Sequence, residues 1–346
     1  MTRLITVLYL IFTASSAYAA QVSNFYQAQV PVASQSDQDR RQVTPDALKQ
    51  TILKIVGDRQ TVNKADITAL LADADRYVER YSYQQINHDD DPITPEKLAV
   101  NFIFDAKTLT NALQRIGLPI WGENRPEILI WLASDSGSEQ NLIGDSDNNI
   151  VSDIIEREAA RRGLLLILPV MDLQDQTQIS FSDIWTGNNS TVQQASERYG
   201  TRIIVTAQIR GNASQTAISW QLLSNNNNFR WQSEGDLNIA IAEGIDQLAD
   251  TLGQRFAQQI GSSQQLAVEI IEVKDYNDYN RLLAYLNNLQ AVESVSIVSM
   301  NEQSLKLELT IRGEVSKFRE LLAFDGLLQA NEVMADNNVE QYRLLP

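Results

Sequence analysis

This chain lacks cysteine and has a single histidine among its 346 residues. Without cysteine it forms no disulfide and performs no thiol chemistry. The one histidine, His88, is followed by three aspartates, a composition typical of a solvated loop. One histidine without cysteine does not supply a histidine-rich zinc site, and we predict no catalytic triad around His88.

Lysine is absent between Lys107 and Lys274, so this part of the chain has neither a P-loop lysine nor a Schiff-base lysine. The Gly-x-Ser-x-Gly nucleophile motif does not occur either. Together these absences exclude most common enzyme classes. Long apolar runs are also missing, because no segment reaches the roughly 18 apolar residues that a membrane helix needs.

Positive charge is scarce in this sequence. Lysine and arginine number 28 against 44 aspartates and glutamates, which gives a formal net charge of -16 at pH 7. Such an acidic chain is a poor partner for nucleic acid or for an anionic membrane surface. The charge by itself indicates solubility and assigns no chemistry.

The first residues have the pattern of a secretory signal peptide. Arg3 precedes a short apolar stretch over residues 4–13, and Ala17-Tyr18-Ala19 matches an A-x-A cleavage site. We therefore expect a signal peptide over residues 1–19, cleavage after Ala19, and a periplasmic mature protein without a transmembrane segment. The absence of cysteine near the cleavage site excludes a lipid anchor there.

The remaining sequence predicts three small domains of the α/β and α+β classes. The first, over residues 20–124, has the order β-α-α-β-β-α, and its first helix is predicted to begin at a Thr44-Pro45 cap. The last, over residues 266–346, has the order β-α-β-β-α-β of the ferredoxin-like fold. Folds of this kind host many functions, so the element order alone assigns none.

The central domain, residues 125–262, is predicted to be a mixed β-sheet with a β-α-β core. A buried strand over 127–133 is followed by a polar loop, a helix from Ile150 and a parallel strand over 164–168. The unbroken apolar sequence of that second strand is typical of the centre of a sheet. A third parallel strand over 202–209 and two antiparallel strands complete the predicted sheet.

Charged side chains follow the carboxyl ends of the three parallel strands, which is the edge where such sheets bind ligands. The loop over 169–190 is also longer than a plain connection, as functional loops often are. These side chains can form a site for a divalent cation or a cationic ligand, or they can serve as loop caps, with the tryptophan covering the sheet edge. The candidate binding residues are Asp135, Asp172, Asp175, Asp183, Trp185 and Arg210.

A second acidic pattern partly matches a calcium-binding loop. Residues 145–149 have the D-x-D-x-N spacing, and Asp153 and Glu156 follow. The sixth position needs glycine for a sharp turn, but it is Ile150, which begins a predicted helix. We interpret the pattern as a polar loop that caps this helix.

Several short motifs are distinctive in combination. They are Ala47-Leu48 with Val56-Gly57, Leu118-Pro119-Ile120-Trp121 with Arg125-Pro126, Ala160-Arg161-Arg162-Gly163, Leu168-Pro169-Val170-Met171-Asp172-Leu173-Gln174-Asp175, Ile184-Trp185 and Ala195-Ser196-Glu197-Arg198-Tyr199-Gly200. Together they resemble the domain-of-unknown-function family 2066 of exported proteobacterial proteins, over most of the chain to about residue 260. The resemblance implies export and no reaction, because the activity of that family is unknown.

Two functions are compatible with these observations. The first is a non-catalytic binding or scaffold protein of the bacterial cell envelope, which engages a protein partner through its central or C-terminal domain and needs no cofactor. The element order of the central domain also resembles the amino-terminal TolB-like domain of envelope lipoproteins that bind and activate cell-wall synthases. The alternative is a carboxylate-based hydrolase, with or without a metal, that uses Asp172 and Asp175.

Overall fold

A computed structural model describes the chain in eleven segments: residues 25–86, 97–122, 125–145, 149–201, 203–223, 228–257, 263–289, 291–301, 304–325, 327–331 and 339–345. Within them are three separate β-sheets, which confirms the α/β and α+β class with several domains. The domain boundaries stay predictions, and the expected signal peptide and His88 lie outside the described residues. No helix in the described segments is both long enough and apolar enough to cross a bilayer.

The N-terminal region is a three-stranded antiparallel sheet packed against helices. Its strands are β1 (Gln27–Pro31), β2 (Val78–Ile86) and β3 (Lys97–Phe104), in the order β1-β3-β2. Its helices are α1 (Asp37–Val56), α2 (Arg59–Lys64), α3 (Thr68–Ala72) and α4 (Ala106–Arg115). The core is formed by apolar residues of all four helices and of strands β1 and β3.

Helix α1 begins earlier than the sequence predicted, at Asp37 and not at Pro45. The Ser36 hydroxyl caps it by accepting a hydrogen bond from the backbone N–H of Asp39. Asp37 and Asp39 in the first turn also stabilise the helix, because their negative charges lie at the positive end of the helix dipole. The predicted Thr44 cap is wrong, because the Thr44 hydroxyl donates to the Arg40 carbonyl oxygen inside the helix.

The central region contains a six-stranded mixed sheet. Strand order is β5-β4-β7-β8-β9, and β6 pairs with β4. Strands β4, β6 and β7 are parallel, which confirms the predicted β-α-β core. The strands are β4 (Glu127–Asp135), β5 (Gln140–Ile143), β6 (Leu165–Ile167), β7 (Ile203–Asn212), β8 (Gln215–Leu223) and β9 (Phe229–Gly235).

The strand predicted at the centre of this sheet is at its edge. Strand β6 has only three residues, all partly exposed, and it pairs only with residues 127–129 of β4. Beyond that point β5 pairs with β4, from Leu132 opposite Ile143 onwards. The polar loop predicted after β4 therefore contains a strand that the sequence analysis missed. The centre of the sheet is formed by β4 and β7.

The described residues of the central region form five α-helices. They are α5 (Ile150–Arg162), α6 (Leu173–Gln178), α7 (Phe181–Thr186), α8 (Asn189–Ser196) and α9 (Leu237–Phe256). The long helices α5 and α9 pack on one face. The short helices α7 and α8 pack on the other face over β4 and β7. The loop predicted over 169–190 is thus largely helical.

The C-terminal region is a five-stranded sheet in the order β11-β12-β10-β14-β13. The first five elements follow the predicted ferredoxin-like order, but α11 is followed by an additional strand, β13. Strand β14 then returns between β13 and β10, and it runs parallel to β10. The elements are β10 (Gln264–Ile271), α10 (Tyr276–Asn288), β11 (Val292–Met300), β12 (Ser304–Ile311), α11 (Val315–Asp325), β13 (Leu328–Ala330) and β14 (Glu340–Leu344).

An ion-pair cluster joins the N-terminal and central regions. Three carboxylates lie on one face of α9, because their spacing matches the helical repeat. Arg59 of α2 binds all three, with nitrogen–oxygen distances of 2.7 to 3.1 Å. Two arginines at the end of α5 bind the same face. The members of this cluster are Arg59, Arg161, Arg162, Glu243, Asp246 and Asp250.

Arg162 is the buried centre of the ion-pair cluster, since its side chain is only 1% exposed. Its Nη1 lies 2.6 Å from Oδ1 of Asp246, and its Nη2 lies 2.8 Å from Oδ1 of Asp250. The same Nη2 donates to the carbonyl oxygen of Gly57 at 2.7 Å. A cation at this position also stabilises the negative end of the α1 dipole.

A second buried arginine, Arg125, links the end of α1 to the end of α5. It does so through backbone carbonyl oxygens. Its guanidinium donates to the carbonyl oxygens of Lys54, Trp121 and Gly163. The aromatic rings of Phe25 and Trp121 lie 4.4 and 4.0 Å from its central carbon. These carbonyl dipoles and ring faces replace the water that the cation loses on burial.

Two glycines allow α1 and α9 to approach closely. A Cβ atom built on Gly253 would lie 2.5 Å from the carbonyl carbon of Gly57 and 2.8 Å from its Cα. Gly57 itself has φ +83 and ends α1 in the left-handed conformation. No residue with a side chain fits at Gly253 unless the two backbones separate.

We therefore expect Gly253→Ala to lower the free energy of unfolding by about 1–3 kcal/mol, the usual cost of overpacking. In an open helix the same change would stabilise by roughly 1 kcal/mol. Denaturant unfolding measures the difference, and Thr251→Ala on the same helix is the control, with an expected change within about 0.5 kcal/mol. Stabilisation by Gly253→Ala would contradict the close approach of the backbones.

Candidate functional site

Two of the predicted site residues, Asp172 and Asp175, meet at one arginine. Nη1 of Arg198 lies 2.6 Å from Oδ1 of Asp172 and 2.9 Å from Oδ1 of Asp175. Its Nη2 lies 2.8 Å from the other oxygen of Asp172. Asp172 also caps α6 by accepting from the backbone N–H of Asp175. The hydrogen bonds from Arg198 hold the pKa of Asp172 far below its usual range.

Asp175 is completely buried and organises the turn after β6. Its Oδ2 accepts hydrogen bonds from the backbone N–H of Met171 and from the hydroxyl of Tyr199. Met171 has a positive φ of 55, which is uncommon for a residue with a side chain, and this hydrogen bond helps to hold it there. Burial, together with the bond to Asp175, raises the pKa of Tyr199 to about 12.

A second group forms around Arg210, where β7 runs beside the end of β4. Asp135 is the register neighbour of Arg210 on β4. The Asp135 carboxylate accepts from the side chain of Gln140 and the backbone N–H of Gly137, which lower its pKa. The Arg210 guanidinium lies 4.6 Å from the centre of the Trp185 ring.

Asp183 is a helix cap. Its Oδ2 accepts from the backbone N–H and the hydroxyl of Ser180, completing a capping box at the start of α7. Its Oδ1 accepts from the side-chain amide of Asn188. The calcium-like pattern also ends in a cap, since Asn149 accepts from the backbone N–H of Val151 at the start of α5. Residues 146–148 of that pattern lie outside the described residues.

Five of the six candidate residues thus form two groups, and no hydrogen bond or ion pair between described residues connects the groups. Asp183 belongs to neither, since its partners are Ser180 and Asn188. The two groups are separate because the short β6 ends beside Leu129 of β4. Asp135 lies six residues further along β4, about 20 Å away at the rise of a β-strand. In the described part of the chain, no three histidine, cysteine, aspartate or glutamate side chains are grouped as metal ligands.

This arrangement suits structural roles better than catalysis. Asp172 is held ionised by Arg198, so it is poorly suited to deliver a proton as a general acid. Asp175 already accepts bonds from three groups inside the protein. The binding role of the six residues stays a prediction.

A polar groove of about 490 Å³ lies beside α7, on the face of the central sheet against which α7 and α8 pack. Sequence analysis did not select it, because its residues alternate with apolar ones along β8 and β9 and resemble the solvent face of ordinary strands. The sequence feature that could have predicted the groove is the run of polar side chains on three adjacent strands, β7, β8 and β9. Its wall is formed by residues 185–187, and its floor by Thr206, Gln208, Ser219, Gln221, Arg230 and Gln232.

We expect Asp175→Ala to lower the free energy of unfolding by at least about 2 kcal/mol, because it leaves the Met171 N–H and the Tyr199 hydroxyl without their acceptor. Thermal and denaturant unfolding measure the loss. Glu197→Ala removes an exposed carboxylate nearby and should change stability by no more than about 0.5 kcal/mol. Equal effects of the two substitutions would contradict a structural role for Asp175.

Comparisons with known proteins find matches that each cover less than half of this chain. A family model described as "Domain of unknown function (DUF8605)" matches residues 19–122. No curated protein matches the chain. Among solved structures, the LpoB C-terminal domain from Salmonella enterica is 16% identical, with 37% of this chain and 91% of that chain covered and a TM-score of 0.25.

TolB from Acinetobacter baumannii is also similar to part of this chain. It is 16% identical, the match covers 44% of this chain and 33% of the TolB chain, and the TM-score is 0.22. The match thus spans about a third of the length of TolB. At these TM-scores neither likeness supports an inference about function, and the resemblance to family 2066 stays a prediction.

Proposed function

We propose that this chain is a non-catalytic binding or scaffold protein of the bacterial cell envelope, exported to the periplasm, that engages a protein partner through its C-terminal region. The partner-binding element in this proposal is the free edge of β11. The observation that carries it is the exposure of large apolar side chains along that strand. We also propose membership of family 2066, on the motifs quoted above.

Strand β11 is the outermost strand of the C-terminal sheet. One of its edges pairs with β12, and no described strand pairs with the other. Ile297, Val298 and Met300 are 48%, 65% and 63% exposed. Glu293 is the only charged residue in the strand. Unpaired backbone groups beside apolar side chains form a template for a further strand.

The shape of the strand restricts how a partner can pair. Its pairing with β12 is irregular near Glu293 and near Val298. Such bulges bend a strand and often redirect a side chain. An extended segment of the partner therefore pairs with the regular stretch over residues 294–297, and its continuation contacts the exposed side chains of Val298 and Met300.

An extended apolar segment of another protein suits this edge. Added strands gain affinity from main-chain hydrogen bonds and specificity from alternate side chains. A second copy of this chain is a less suitable occupant, because each copy has a net charge of -16 and two such copies repel each other.

Site-specific photo-crosslinking in cells tests the proposal. A photoreactive residue placed at Val298 should form an adduct with one defined protein, identified by mass spectrometry, whereas the same residue at exposed Lys107 on α4 should not. Adding Met300→Lys should abolish the adduct, because it places a charge in the apolar contact. The melting temperature should stay unchanged.

Identical adducts from both positions would contradict the proposal, as would an adduct only with a second copy of the chain. Persistence of the adduct in the Met300→Lys variant would show that the apolar edge is not the contact.

A further inference from the structure

The polar groove beside α7 has features of a ligand site that the proposed partner-binding role does not use. It lies on the face of the central sheet opposite α5 and α9. Helices α7 and α8 cover this face over β4 and part of β7. Beyond them, β8 and β9 leave the groove open.

The floor of the groove is a regular array of hydrogen-bonding side chains. Register pairing places Thr206, Gln221 and Arg230 in one row across three strands. Gln208, Ser219 and Gln232 form the neighbouring row. Adjacent strands are about 4.8 Å apart, so neighbouring groups in a row can bind adjacent polar groups of one ligand.

Of the six floor side chains, only Gln208 and Gln221 form hydrogen bonds with described residues, and Nε2 of Gln208 donates to the carbonyl oxygens of Ile184 and Trp185. Thr206 is 6% exposed, and its hydroxyl has no hydrogen-bond partner among the described residues. Gln221, at 8% exposure, makes one long bond of 3.4 Å to Asn189. The side chains of Ser219 and Gln232 likewise make no hydrogen bond to a described residue. Thr206 is the buried member of the array without a hydrogen-bond partner among the described residues, and a buried hydroxyl normally has one, so its hydroxyl is available to a ligand in the groove.

Charge and aromatic contacts narrow the class of ligand. Arg230 is the only charged residue among the described residues that line the groove, and no described side chain forms an ion pair with it. The Trp185 ring already stacks on Phe181 at 4.8 Å and has the Arg210 guanidinium at 4.6 Å.

We infer that the groove binds a hydroxyl-rich ligand with a carboxylate, that is, an acidic saccharide. The neutral hydroxyls and amides of the floor match sugar hydroxyls, and the guanidinium of Arg230 matches one carboxylate through paired hydrogen bonds. An acidic peptide fits less well, because its side chains have no hydroxyls to match the two rows of hydroxyl and amide groups on the floor.

Titration of ¹⁵N-labelled full-length protein with digalacturonic acid tests the inference. The chain has five tryptophans, so indole N–H signals report on different places. We expect the Trp185 signal, assigned with Trp185→Phe, to move during the titration. The signal of Trp121 should stay in place, since this ring stacks on Phe256 and does not line the groove. Lactose, a neutral disaccharide, should bind at least about tenfold more weakly.

Matched variants locate the binding. Arg230→Gln should weaken digalacturonic acid binding about tenfold, because it removes a charge-assisted bond. Gln232→Ala, at an exposed position where the substitution should leave the melting temperature unchanged, should weaken it less. Arg115→Gln, an exposed arginine of α4, should leave the affinity unchanged.

Three outcomes would overturn the inference: no shift with either sugar, stronger binding of a diglutamate peptide than of the disaccharide, or equal affinity of wild type and Arg230→Gln. These outcomes are independent of the crosslinking result at β11, since the two sites lie in different sheets.

Discussion

The buried guanidinium of Arg162 is the interaction on which the arrangement of the N-terminal and central regions depends. It binds two carboxylates of α9 and the last carbonyl of α1 at the same time. A charge with so little exposure needs partners of this kind, and Arg162 has them at both Nη atoms, whereas its buried Nε has none among the described residues. The close contact between Gly57 and Gly253 lies beside it, so charge pairing and backbone packing reinforce each other.

The same chemistry recurs at a smaller scale around Asp175, where a buried carboxylate holds a strained turn between β6 and α6. In both places the charged residues have partners inside the protein. The polar groove and the β11 edge are different, because several polar side chains of the groove and the exposed apolar side chains of the edge lack such partners among the described residues. This contrast separates residues that maintain the fold from surfaces that are available to a ligand or partner.

Local patterns predicted most elements, and long-range pairing explains the exceptions. The alternation of leucines along β12 and the apolar run of β4 are strong local signals, and both strands were predicted. The apolar run at β6 does not reveal its edge position, which depends on how far β5 extends along β4. Arg59 and Asp250 are distant in sequence, so no spacing rule predicts their ion pair. The groove was missed because polar residues on alternate strand positions usually face water.

A double-mutant cycle between Arg162 and Asp250 is the most direct measurement of the contact between the two regions. Denaturant unfolding of wild type, Arg162→Met, Asp250→Asn and the double variant gives the coupling energy. We expect a coupling of about 1–3 kcal/mol, the range for residues that share a buried network. Additive effects within about 0.5 kcal/mol would show that the two residues act independently and would contradict the central role of Arg162.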